Sequence, residues 1–222
     1  MLIFQKVPHK NVIYFAISLI FSIFAAKKQY MERFIMQDLI AWKNREDRKP
    51  LILLGARQVG KTYILKEFGQ REFENVAYIN CDNNAMAKDL FASDYNIDRI
   101  LLTIGAITGV NIEAGKTLII MDEIQELHRG LASLKYFCEN AREYHVAVAG
   151  SLLGLALHQG ESYPVGKVNT LEMYPMTFEE FLWARGFKQR MDLLQHGMWD
   201  VVKSLRTLYI QHLREYYLVG GM

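Results

Sequence analysis

The chain has 222 residues, a formal net charge of +2, 51% apolar residues and 23% charged residues. This is ordinary globular composition, enough for one domain or one domain plus a fragment of a second, and it excludes a largely disordered chain. The near balance of charge gives no bulk attraction to nucleic acid, and the two cysteines, Cys81 and Cys138, fit a reduced intracellular protein better than a zinc site.

The first thirty residues differ from the rest. Val12–Ala26 carries no charge, with Lys6 and Lys10 before it and Lys27 and Lys28 after it. As a helix it reaches roughly 22 Å, short of a hydrocarbon core of about 30 Å. It lacks a small-x-small cleavage pattern, because Phe24 stands where a small residue is wanted. Residues 1–30 are therefore expected to be an extension outside the working domain, with few contacts to it. Membrane association through residues 12–26 and an export signal are the alternatives. From Met31 the pattern becomes that of an amphipathic helix, with Phe34, Ile35, Leu39 and Trp42 at helical spacing.

Residues 43–49 (KNREDRK) form a solvated charged loop. Leu51–Leu54 predicts a strand, and Lys61–Phe68 a helix that Gly69 stops. Further strands are expected at Asn75–Asn80, Thr117–Met121 and Val146–Ala149, with a fifth within Lys167–Tyr174. Leu131–Asn140, Phe178–Ala184 and Met191–Tyr217 read as helices, the last two with aromatic and leucine stripes that suggest core rather than cofactor contacts. Strands alternate with helices, which predicts an α/β fold with a mostly parallel sheet.

One motif is complete. Gly55-Ala56-Arg57-Gln58-Val59-Gly60-Lys61-Thr62 fits G-x-x-x-x-G-K-[ST] and lies between an apolar strand and a helix. Such a loop turns backbone N–H groups toward phosphate oxygens at a helix N-terminus. Its lysine is a mobile charge for the β- and γ-phosphates, and its hydroxyl is a ligand for Mg²⁺. Nucleotide binding by Gly55–Thr62 is the expectation.

Asp122 follows the strand TLIIM directly, and Glu123 comes next. Two acids there could simply end a strand. With a complete phosphate loop upstream they read instead as a Mg²⁺-holding aspartate and a carboxylate that orients or deprotonates water. Ser151, after VAVAG, is a candidate sensor of the γ-phosphate. Arg57, Arg129 and Arg185 are candidates for charge stabilisation in phosphoryl transfer, and the sequence does not choose among them.

The segments LILLGARQVGKT, IIMDEIQE, LASLKYFCENA, VAVAGSLLG, SYPVGKV and MYPMTFEEFLWARG occur in this order. Together they resemble the bacterial and archaeal AAA-type ATPases that carry a C-terminal domain of unknown function, over roughly Met31 to Met222. The resemblance implies a P-loop NTPase of the additional-strand type: a mostly parallel five-stranded sheet flanked by helices, followed by a C-terminal helical segment. It implies an ATPase core over residues 31–176. Residues 177–222 would be a helical lid, or the start of a further domain that relatives continue. It also implies that Lys61 and Thr62 bind phosphate and Mg²⁺, that Asp122 supports Mg²⁺, that Glu123 is catalytic and that Ser151 is sensor-like.

The expected activity is Mg²⁺-dependent ATP hydrolysis by a cytoplasmic motor or switch. Adenine preference rests on the resemblance and on the lack of an N-K-x-D run. A nucleotide-gated interaction module with negligible turnover is the alternative, as is a non-functional fragment. A homo-oligomer or a protein partner remains open, and nucleic acid is not indicated.

Overall fold

A computed structural model describes residues 32–82, 84–91, 94–127, 129–150 and 164–219. The expectations for residues 1–30 and for Ser151 lie outside these. The elements in chain order are α1 (Ile35–Lys43), β1 (Leu51–Leu54), α2 (Lys61–Glu72), β2 (Asn75–Asn80), α3 (Ala85–Lys88), α4 (Ile97–Thr108) and β3 (Thr117–Asp122). A 3₁₀ turn (Ile124–Glu126) then leads to α5 (Gly130–Asn140), β4 (His145–Ala149), β5 (Asn169–Glu172), α6 (Phe178–Ala184), α7 (Lys188–Gln195), α8 (Trp199–Ser204) and α9 (Arg206–Val219).

The five strands form one sheet in the order β2-β3-β4-β1-β5, and every pairing is parallel. Strands buried on both faces need apolar residues at every position, and β3 and β4 are buried throughout. Alternate residues then serve opposite faces. Ile52, Ile119, Met121, Val146 and Val148 join one core with Ile100 and Ile104 of α4 and Leu134 and Phe137 of α5. Leu51, Leu53, Leu118, Ile120 and Ala147 join the other, with Leu39 and Trp42 of α1 and Ile64, Leu65 and Phe68 of α2. Strand β4 lies between β1 and β3 and all three run parallel, so the loop after β1 and the acids ending β3 open at the same C-terminal end of the strands.

Three expectations need correction. Gly69 does not stop α2, which continues to Glu72. Gly69 is there because the helix crosses the sheet closely: a Cβ would lie 2.6 Å from Val76 Cγ2 and 3.2 Å from Leu118 Cδ2. Second, Met191–Tyr217 is not one helix but parts of α7, α8 and α9, with a break at Gly197 (φ 66°). Third, the stripes there are not core. No residue of α7 or α8 is buried, α9 buries only His212, and Trp199 and Leu218 are 60% and 87% exposed. Helix α1 does occur, burying Ile35, Leu39 and Trp42, while Phe34 packs outside it against Trp183.

His145, opening β4, is buried edge-on against the rings of Trp42 and Phe73, and its Nδ1 has no hydrogen-bond partner. Burial, with Arg48 and Lys43 adding positive charge, pushes its pKa down to about 4. The folded chain therefore holds His145 neutral at a pH where the unfolded chain, with an ordinary value of about 6.5, takes up a proton. The resulting stability is complete above about pH 6.5 and is lost as the pH falls toward 4. Urea unfolding is expected to show a loss of about 2 kcal/mol between pH 7 and pH 5 from this group. His145→Phe should flatten that part of the profile, and an unchanged slope would show that other groups set it.

Candidate functional site

The loop Gly55–Thr62 leaves the end of β1 and enters α2. Its first glycine is required twice over. Gly55 has φ 152°, and a Cβ there would lie 2.3 Å from the carbonyl oxygen of Met173. Gln58 and Gly60 are also at positive φ, 65° and 94°. The strain at Gln58, a residue with a side chain, falls in the middle of the motif, where such strain is expected of a functional loop. Gly60 caps α2 and has no side chain of its own to cover the first N–H groups of the helix.

Lys61 folds back over the loop, donating from Nζ to the carbonyls of Gly55 (2.8 Å) and Ala56 (2.7 Å). Its side chain is largely buried, which lowers its pKa, while Glu123 and Asp122 oppose the shift. Thr62 donates from Oγ1 to Asp122 Oδ2 at 2.5 Å, across sixty positions of sequence. Asp122 is 7% exposed at the end of β3. Glu123 follows it in the left-handed region, φ 53°, and its Oε2 accepts a bond from Gln125 Nε2 at 2.5 Å.

These groups border one cleft of about 620 Å³. Arg57, Gln58, Gly60, Lys61 and Thr62 line it from the loop, and Asp122 and Glu123 from the end of β3. Ala56 is exposed beside them, whereas Val59 is buried under the loop. The phosphate loop, Asp122 and Glu123 are thus brought together. Among the described residues, Arg57 is the one candidate arginine that lines the cleft. Arg129 donates from Nε to the Tyr95 hydroxyl and lies over its ring. Arg185 pairs with Glu215 at 3.5 Å, on the C-terminal helices.

Five further described residues belong to the site and were missed, among them Tyr63, which follows Thr62 and also lines the cleft. Asp82, Gln125 and Glu126 line the cleft. Tyr78 donates to Asp122 Oδ2 at 3.3 Å, and its pKa is pushed up to about 12 by burial and by the Asp122 charge. Burial, then Asp122 and Glu123, likewise push Cys81 up to about 12. In both, burial is the larger cause and the neighbouring acids add to it. Tyr78 could have been found only from the pairing of β2 with β3, which sets Asn80 opposite Asp122 and places Tyr78 on the same face two residues earlier.

The residues fit a nucleotide with a divalent cation. Gly55 leaves space that a Cβ would fill, the helix N-terminus offers donors, and Lys61 supplies positive charge. Mg²⁺ keeps several waters and takes few protein ligands, so a hydroxyl and a carboxylate already in contact are a suitable donor set.

A parallel sheet with β4 inserted between β1 and β3, a phosphate loop after β1 and acids after β3 defines a P-loop NTPase of the additional-strand type. The AAA domain family matches residues 47–182, and this chain belongs to it, a family of AAA-type P-loop ATPases. An uncharacterized protein of Methanocaldococcus jannaschii is 28% identical over 181 residues, covering 74% of this chain and 34% of its own length. The chain spans about a third of that relative. The structure is also similar to the ORC2 protein of Aeropyrum pernix, with a TM-score of 0.46 and 16% identity over 72% of this chain and 55% of that one. The Holliday junction branch migration motor RuvB of Thermotoga maritima gives a TM-score of 0.41 and 19% identity, over 76% and 52%. No helix among the described residues is long and apolar enough to cross a membrane.

Proposed function

We propose that the chain binds ATP with Mg²⁺ in this cleft and hydrolyses it, as the nucleotide-driven switch or motor of the cytoplasmic compartment where both are supplied. The observation that carries the reading is the convergence of Lys61, Thr62, Asp122 and Glu123 at the C-terminal end of the sheet from two different strand ends. Backbone N–H groups of Gly55–Thr62 hold the phosphates. Lys61 leaves the Gly55 and Ala56 carbonyls to meet the β- and γ-phosphates. Thr62 and Asp122 would hold the cation, which would neutralise charge on the phosphate oxygens. Tyr78, which donates to the same Asp122 oxygen as Thr62, would help keep that carboxylate oriented.

Glu123 accepts a proton from the water that attacks the γ-phosphorus. The bond from that phosphorus to the bridging oxygen breaks, ADP leaves with the electron pair, and inorganic phosphate forms. For this Glu123 must be freed from Gln125 Nε2. Ser151, close in sequence to the end of β4, would contact the γ-phosphate. Arg57 is the arginine of the described chain best placed to add positive charge to the cleft.

Phosphate release from ATP, followed in Mg²⁺ and in excess chelator, tests the reading. Release in Mg²⁺ that disappears with chelator is expected. Equal release in both would remove the cation from the mechanism.

A nucleotide-gated interaction module is favoured by one observation, the apolar exposure of Met198, Trp199, Leu218 and Val219 on the C-terminal helices. We assign residues 31–176 to the ATPase core and residues 177–222 to a helical segment that would carry such an interaction, with a further copy or another protein. Tight ATP retention with negligible phosphate release would select this reading over the motor.

A further inference from the structure

We infer that Arg33 is a positioning residue of the phosphate loop, and that its ion pair with Glu180 couples the loop to the C-terminal helices. The inference rests on the nucleotide reading above. Arg33 precedes α1, outside every motif, and is 7% exposed. Its guanidinium reaches three separate segments. Nη1 donates to the carbonyl of Val59 in the loop (3.2 Å) and Nη2 to the carbonyl of Tyr174 after β5 (2.7 Å), while Nε lies 3.1 Å from Glu180 Oε1 on α6.

The contact with Val59 bears on the loop directly. In a trans peptide the C=O and the following N–H point in opposite directions. Holding the Val59 carbonyl toward Arg33 therefore aims the N–H of Gly60 away from Arg33, and Gly60 lines the cleft. This peptide lies between Gln58 and Lys61, in the stretch where the backbone is at positive φ. Arg33 thus supports a strained turn from behind, which the loop's own sequence does not do.

Glu180 fixes Arg33 in turn. Its Oε1 accepts from the backbone N–H of Phe34 (2.8 Å), and its Oε2 accepts from that of Thr177 (2.8 Å). Thr177 Oγ1 accepts from the N–H of Glu180, which closes the capping box that starts α6. Helix α6 is joined to α9 by the Tyr216 ring against Phe178 and Phe181, and by the Tyr216 hydroxyl on the Met176 carbonyl. A shift of α6 therefore moves Glu180, Arg33 and the Val59 carbonyl together. Coupling between sites is reciprocal, so a nucleotide that fixes the loop also fixes α6. A lysine places all its donors on one nitrogen and lacks the planar fork by which Arg33 reaches the Val59 and Tyr174 carbonyls from two separate nitrogens.

The test uses the full chain and ADP. Hydrogen exchange at the α6 amides is compared with and without saturating ADP, with α4 as the internal reference for general stabilisation. ADP should slow exchange over Phe178–Ala184 more than over Ile97–Thr108. Arg33→Lys, shown folded by its thermal transition, should bind ADP about tenfold more weakly, within the usual range of coupling between sites, and lose the extra protection. A folded Arg33→Lys with wild-type ADP affinity overturns the inference. So does wild-type protein that binds ADP with no extra protection of α6, a result available even if the variant does not fold. Wild-type protein that does not bind ADP overturns the nucleotide reading itself.

Discussion

Lys61→Ala weakens ATP binding by about 100-fold, the scale set by losing a charge-assisted interaction with a phosphate. Among the described residues, the Lys61 ammonium hydrogen-bonds the loop carbonyls of Gly55 and Ala56, so its removal leaves those two oxygens to be solvated. No other lysine of the described residues lines the cleft. The next lysine along α2, Lys66, lies over the Tyr78 ring, 3.3 Å from its centroid. Calorimetric titration with ATP measures the effect, and unchanged affinity would detach Lys61 from phosphate binding.

Glu123→Gln leaves ATP affinity near that of the wild type and lowers phosphate release by at least about tenfold, toward the hundredfold scale of a lost general base. Glutamine keeps the shape and an oxygen acceptor for Gln125 Nε2, so the left-handed backbone at position 123 meets no new demand. Affinity and turnover are read separately for that reason. A fall in affinity would mean that the carboxylate supports binding, and equal turnover would give the water-activating role to another group.

The chemistry of this chain was far more legible in its sequence than the arrangement that supports it. Gly55–Thr62 is local: eight consecutive residues dictate a turn and a helix start, and the structure has both. Asp122 and Glu123 were legible because a fully apolar strand ending in acids has few meanings beside such a loop. The position of β4 between β1 and β3 was implied by family resemblance alone, since strand order is set by pairing between distant segments.

Gly69 misled because its local meaning, a helix stop, was overridden by packing against Val76 and Leu118. The stripes of α7 to α9 misled differently. Periodicity reveals which residues share a face and not whether anything covers that face. Arg33 and Tyr78 were not legible at all. The hydrogen-bond and ion-pair partners named for them lie 26 to 147 positions away, and two of these are backbone carbonyls, which every residue supplies.

The binding of ATP in the cleft between Gly55–Thr62 and Asp122–Glu123 is tested most directly by calorimetric titration of ATP with Mg²⁺ into the wild-type chain. One ATP per chain, displaced by ADP, is the expected result. No saturable binding at millimolar ATP, by protein shown to be folded, would contradict it.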